Sequence, residues 1–340
     1  MPKVVVTDLV YSNAKYEKEI LAPLNVELIV AYCKKEEEVI RISKDADVLL
    51  VCYAPITKKV MRSLAKCKGM IRYGVGVDNI DVEAATARGI LVINVPHYGA
   101  ENEVSSHALG LLLCAARKIL FLDRKVRQGI WDYREARPIY RIEGSTLGLV
   151  GFGSIGKMLA RKVKGLEMKV IAYDPYRKRE EFEREKVQRA SLEELLQRSD
   201  YVSIHVPLNQ ETHHLIGERQ LRMMKRTAVL INTARGGVVD SQALYLALRN
   251  KWIRSACLDV IENGPLNKDH SLLQLDNVII TPHSAFYSEQ SCATLQRIAA
   301  EEASRLLRGE LPRSVVNEEA VARFLSRSPS AKRDNNLESC

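Results

Sequence analysis

Residues 147–156 read LGLVGFGSIG, an apolar run that opens directly into three glycines, and the following KMLARKVKGL has helical spacing. A strand turning through such a loop into a helix does its chemistry with the backbone. Gly151 permits the tight turn, Gly153 lets the main chain approach a pyrophosphate, and Gly156 lets helix pack on strand. The amides of Ser154 and Ile155 open the helix, whose positive end favours an anion. Eighteen residues after Gly156, the run KVIAYD ends in Asp174. An acid at that place accepts hydrogen bonds from the ribose hydroxyls of a dinucleotide and repels a 2′-phosphate. The loop therefore predicts NAD rather than NADP, although Arg177, Lys178 and Arg179 just downstream soften the exclusion.

Four further motifs close apolar runs: His205-Val206-Pro207-Leu208, Thr233-Ala234-Arg235-Gly236-Gly237, Leu258-Asp259-Val260 and Thr281-Pro282-His283-Ser284-Ala285. Open parallel sheets bind ligands at the carboxyl ends of their strands. An arginine there can hold a carboxylate or polarise a carbonyl. A histidine titrates near neutrality and can give or take a proton. Singly, each has a bland alternative: a surface arginine in a turn, or a satisfied histidine at the rim of the core. The pair His213-His214 suggests a metal, but neighbours in an extended segment point to opposite sides and no cysteine or carboxylate cluster accompanies them. No metal site is expected.

The elements that must position these residues alternate along the chain. Strands are expected at Val4–Thr7, Val26–Val30, Val48–Cys52, Met70–Tyr73 and Leu91–Val95. A second set is expected at Leu147–Gly151, Lys169–Asp174, Tyr201–Val206, Ala228–Thr233, Ala256–Val260 and Val278–Thr281. Most are continuously apolar, as parallel strands covered on both faces must be. Helical segments lie between them. One starts at Ser191, with Glu194 completing a capping box; another follows Asp240. One long helix, about Glu103 to Gln128, separates the two sets, and Ser288 to Leu307 forms the last helix before Gly309 and Pro312. Alternation of this kind implies α/β architecture with right-handed βαβ units.

Composition sets the outer bounds. A chain of 340 residues with 46% apolar and 27% charged residues suits two globular domains without staples. The net charge is +9. The basic residues are scattered among 42 acids with only 6% aromatics, so nucleic acid is not expected. The longest apolar stretch, Ala108 to Ala116, is well short of the ~20 residues of a spanning helix. No membrane association is expected. The seven cysteines are widely spaced and lack any CxxC, which suits reduced thiols in the cytoplasm.

Taken together, RYGVGVDNID (72–81), the glycine loop, VPLNQETHHLI, NTARGGVVD and NVIITPHSA resemble the D-isomer-specific 2-hydroxyacid dehydrogenase family over residues 48–320. The resemblance implies two Rossmann- or flavodoxin-like domains with parallel sheets, the nucleotide domain inserted into the substrate domain. Residues 1–101 and 289–322 would form the substrate domain, 102–288 the NAD-binding domain, and 323–340 a disordered tail. It implies a cleft that closes on substrate, a homodimer, and interconversion of a small 2-oxo acid and its D-2-hydroxy acid. Such a reduction needs a hydride, a cation on the carbonyl and an acid for the new alkoxide. By resemblance Arg235 is the cation and His283 the acid/base, and both line the bound cofactor. The amides of Val75 and Gly76, with Tyr53 nearby, would receive the substrate. Val104, His205, Val206, Pro207, Thr212, Thr233, Ala234, Asp259 and Ala285 would complete the cofactor site.

Two departures stand out. The family usually carries a Glu before the proline that follows the LDV strand, and that Glu pairs with the catalytic histidine. Here the stretch reads Asp259-Val260-Ile261-Glu262-Asn263-Gly264-Pro265, so Gly264 holds the Glu position. Losing such a pair removes about 1–3 kcal/mol of imidazolium stabilisation. Three readings follow: His283 works without that partner, Glu262 substitutes after a loop shift, or the hydride transfer needs no proton, as in formate dehydrogenases, whose N-terminal extension is missing here. The second departure is that residues 94–107 run one residue longer than the usual segment, which bears on the placement of Val104. Residues 282–290 are also similar to the C-terminal-binding-protein corepressors, so an NAD(H)-sensing scaffold or a repurposed, catalytically weak member is the alternative function.

Overall fold

The computed structural model describes residues 1–327; the rest of the expected tail, residues 328–340, lies outside the described residues. The chain divides into two compact units. One takes residues 1–99 and returns from Ser288; the other is Ala100–Tyr287.

The first unit holds a parallel sheet of β1 (Lys3–Val6), β2 (Glu27–Val30), β3 (Val48–Val51), β4 (Gly69–Arg72) and β5 (Leu91–Ile93) in the order β2-β1-β3-β4-β5. All four residues of β3 and of β4 are buried, because helices cover both faces. The last long helix, Glu289–Arg308, packs on β3 and β4. Leu295, Ala299, Ala303 and Leu306 form its buried stripe at helical spacing. Ser288 caps its start through Oγ to the Ser291 amide, 3.0 Å. Gly309, at φ 77°, ends it in the left-handed region that glycine adopts without strain.

The second unit continues with β6 (Thr146–Val150), β7 (Lys169–Tyr173), β8 (Gln188–Arg189), β9 (Tyr201–Ile204), β10 (Val229–Asn232), β11 (Ser255–Leu258) and β12 (Val278–Ile280). Its sheet is parallel throughout, in the order β12-β11-β10-β9-β6-β7-β8. The chain winds one way from β6 to β8 and the other way from β9 to β12. The β6–β9 boundary is therefore the switch point where such sheets open a crevice at their carboxyl ends.

Four expectations need correction. The long helix after residue 100 is broken: Ala100–Arg117 and Ile119–Arg127 meet at 59°, because Lys118 adopts a left-handed φ of 52°. Ser191 does cap Leu192–Arg198, accepting from the Glu194 amide at 3.1 Å, but the Glu194 carboxylate turns to Arg198 instead of closing a capping box. The edge strand β8 is two polar, exposed residues, which carry no apolar pattern to announce it. The tail expected to be disordered from 323 instead begins with a helix, Val321–Arg327, anchored by the buried ring of Phe324. Among the described residues no single helix is long and apolar enough to cross a membrane.

Candidate active site

The glycine loop is shaped by close approach. Gly151 has φ 98°, and a Cβ there would lie 2.6 Å from the His205 carbonyl oxygen. A Cβ on Gly156 would lie 2.5 Å from the Gly151 carbonyl. Glycine is the residue that fits both places. Space opens instead at Gly153, where the nearest atom to a Cβ would be the Arg177 guanidinium at 4.0 Å. Gly153 caps Ser154–Val163 with no side chain, so the first-turn amides of Ser154 and Ile155 have no capping oxygen. Asp174 ties the end of β7 to this loop. One carboxylate oxygen accepts from the Phe152 amide (2.9 Å) and the other from the Tyr176 amide (3.0 Å), with Arg177 Nε 3.9 Å away. An uncapped helix start beside an anchored acid fits the pyrophosphate and ribose of NAD.

At the end of β9 the His205 ring turns inward. Its Nε2 lies 2.9 Å from Ser203 Oγ, and burial pushes its pKa down to about 4. Its Nδ1 is buried without a protein partner among the described residues. The loop that follows closes on itself: Thr212 Oγ1 donates to the Pro207 carbonyl at 2.6 Å, and Asn209 Oδ1 accepts from the amides of Glu211 and Thr212. Val206 packs against the unit's core beneath it.

Arg235 follows β10 on a turn clamped by Asn232. The Asn232 side chain accepts from the Ala234 amide (3.0 Å) and donates to the Arg235 carbonyl (2.9 Å). The hydroxyl of Thr233 is buried with no protein partner among the described residues, a polar atom left for a bound group. Beyond Arg235, a Cβ on Gly236 would lie 2.1 Å from the Ile261 carbonyl carbon, so the turn lies flat against the backbone of 261–262.

His283 sits at the tip of the turn after β12 with φ 52°, which costs a non-glycine residue about 1–2 kcal/mol. Asp259 holds that strained turn. Its carbonyl accepts from the His283 amide at 2.9 Å. Its buried carboxylate accepts from Thr281 Oγ1 (2.5 Å) and from the amides of Ser284 and Ala285 (both 2.9 Å). His107, from helix Ala100–Arg117, adds Nε2 3.0 Å from Thr281 Oγ1 and 3.5 Å from the Asp259 carboxylate. Val104, one turn earlier on the same helix, is buried, as is Ala285. Asp259, placed by resemblance against the nicotinamide, spends its oxygens on the His283 turn.

Glu262 does not stand free to replace the absent partner at Gly264. Its carboxylate lies 2.6 Å from His214 Nε2 and 3.4 Å from the Ser241 amide. The expectation that His213 and His214 point apart is overturned. His214 has a left-handed φ of 52°, which breaks the extended alternation. The two rings stack at 3.9 Å, and Glu262 is the carboxylate the sequence did not reveal.

In the first unit, the 52–54 loop is held by Asp8, whose carboxylate accepts from the amides of Cys52 (3.0 Å), Tyr53 (2.5 Å) and Ala54 (2.8 Å). Tyr53 and Val75 are exposed. Asn94 donates to the Val75 carbonyl at 2.8 Å, while the amides of Val75 and Gly76 have no protein acceptor among the described residues.

A family model described as D-isomer specific 2-hydroxyacid dehydrogenase, NAD binding domain, matches residues 109–285. A glyoxylate reductase of Korarchaeum cryptofilum is 45% identical over 283 residues, covering 82% of this chain and 85% of that protein. A D-3-phosphoglycerate dehydrogenase of Methanocaldococcus jannaschii is 41% identical over 93% of this chain, which spans only 60% of that longer protein. The structure of D-lactate dehydrogenase from Aquifex aeolicus, complexed with NAD and lactic acid, superimposes with a TM-score of 0.83 at 28% identity, covering 92% of this chain and 99% of that one.

Proposed function

The chain belongs to the D-isomer-specific 2-hydroxyacid dehydrogenase family, and on that premise we propose that it uses NAD(H) to interconvert a small 2-oxo acid and its D-2-hydroxy acid. The observation that carries this reading is the pair of braced turns at the carboxyl ends of β10 and β12, the strands on either side of β11. Asn232 fixes the turn of Arg235, and Asp259 fixes the turn of His283, in the unit that holds the glycine loop.

When bound, the nicotinamide supplies the hydride to the carbonyl carbon. Arg235 polarises the carbonyl oxygen and orients the carboxylate with its planar fork. His283 gives a proton to the alkoxide oxygen and takes it back in the oxidative direction. The uncapped amides of Ser154 and Ile155 hold the pyrophosphate, Asp174 the ribose, and Thr233 Oγ1 offers the cofactor a hydrogen bond from a buried position. The amides of Val75 and Gly76 would take the substrate carboxylate, beside Tyr53. With Glu262 engaged by His214, His283 is proposed to work without the family's usual carboxylate.

A homodimer is proposed on the exposed apolar residues of one stretch of the second unit: Ile119, Leu120, Val126, Ile130, Trp131 and Tyr133. Light scattering on the full chain tests it; a monomer at working concentration rejects it. The free thiols of Cys33, Cys52, Cys67, Cys114 and Cys257 support a reducing, cytoplasmic setting.

The deciding experiment is an NADH-oxidation screen with glyoxylate, pyruvate, hydroxypyruvate and bulkier 2-oxo acids across pH. Turnover of a small 2-oxo acid is expected, fading at lower pH than in relatives that keep the Glu. Tight NADH binding with no turnover of any acid favours the scaffold reading instead.

A further inference from the structure

The loop 209–217 and the segment after β11 bring together side chains that the proposed reaction does not use. His213, His214 and Glu262 have ligand atoms all within 4.8 Å of one another. Both imidazoles aim Nε2 at the same carboxylate oxygen: His214 at 2.6 Å and His213 at 3.9 Å from Glu262 Oε1. A carboxylate oxygen of Asp240 stands 4.0 Å from His214 Nδ1, beyond hydrogen-bond distance but near the ring nitrogen turned away from Glu262.

We propose that His213, His214 and Glu262 form a binding site for a divalent transition cation of the zinc type. Two imidazoles and a carboxylate make the ligand set such ions prefer over magnesium or calcium. Ligand atoms about 2.0–2.1 Å from a tetrahedral ion lie about 3.3 Å apart. The contact at 2.6 Å must open and the one at 3.9 Å must close, each by under 1 Å, and the two imidazole ligand atoms, within 4.8 Å of each other, must draw together by a ring rotation. The His213 side chain is 56% exposed, so the fourth position faces solvent and takes water or an incoming anion.

The site is coupled to the Arg235 turn through the backbone. The His214 amide donates to the Gly237 carbonyl at 2.8 Å, and Gly236 lies against Ile261 and Glu262. Drawing Glu262 away from His214 toward an ion therefore loads the segment on which that turn rests.

The test uses the full chain without an affinity tag, freed of metal, titrated with zinc chloride by calorimetry, and loaded in parallel with cobalt chloride for visible absorption. One equivalent of zinc is expected, with the cobalt spectrum of a tetrahedral site. His213→Ala and Glu262→Gln should each weaken binding about tenfold or more and abolish the tetrahedral bands. Because His213 is exposed, the His213→Ala variant should keep the wild-type melting temperature. Absence of stoichiometric zinc binding overturns the proposal, as does binding of equal strength in His213→Ala.

Discussion

The two arms of the second unit's sheet meet the cofactor and the reaction in different ways. On the arm of β6 and β7, position is set by backbone shape: Gly151 at φ 98°, Gly156 packed on Gly151, and an open Gly153. On the arm of β10 to β12, position is set by buried polar groups. Asn232 clamps one turn and Asp259 another, with Thr281 and His107 behind it. A binding loop needs only room and free amides. The imidazole proposed to move the proton needs its direction fixed, and at His283 a strained turn is held by hydrogen bonds to one carboxylate.

The largest effect is therefore expected from Asp259→Ala. It leaves the buried amide of Ala285 and the part-buried amide of Ser284 without their acceptor and releases the His283 turn, costing about 3 kcal/mol in urea unfolding. Turnover should fall about 10²–10³-fold while NADH affinity holds. Equal losses of both would erase the difference between the arms. Gly151→Ala should do the reverse. Its Cβ meets the His205 carbonyl at a left-handed φ, so NADH affinity collapses and stability falls by about 2–3 kcal/mol.

These contrasts explain what could be read from the sequence. The glycines announce themselves because a tight turn requires that residue type, and Asp174, Arg235 and His283 because the roles proposed for them require groups of that chemistry. Their braces do not. Asn232 and Ser203 are single polar residues in otherwise apolar strands, and His107 is the one histidine of a mostly apolar helix. Each signals something buried, but its partner is 2 to 174 residues away. The stacking of His213 on His214 was hidden for another reason: it depends on one left-handed residue, and no glycine marks the place.

His205 belongs to this buried set and links it to pH. Its folded pKa, about 4, lies below the ordinary 6.5, so the unfolded chain binds the proton more tightly. The contribution is complete above about pH 6.5 and is lost as pH falls toward 4. Between pH 7 and 5 the wild type should lose up to about 2 kcal/mol more than His205→Asn. Parallel urea midpoints at the two pH values measure it; identical losses would place the ring in water. Asp174→Ala should raise the NADH dissociation constant about tenfold and narrow the preference over NADPH. Titrating both cofactors checks this, and an unchanged ratio would detach Asp174 from the ribose. The smallest effect is expected from Gly264→Glu, whose Cβ would lie 3.2 Å from the Ile261 carbonyl oxygen. It should move the alkaline limb of the NADH-oxidation rate profile to higher pH without changing NADH binding. A profile that does not move would mean position 264 does not address His283.

The most direct measurement compares wild type and His283→Gln in one pair of experiments: NADH titration by fluorescence, and single-turnover NADH oxidation with the best 2-oxo acid from the screen. If His283 moves the proton, NADH affinity is equal in the two proteins and the single-turnover rate falls about 10²–10⁴-fold. A rate within a few-fold of wild type, or a parallel loss of NADH binding, would contradict it.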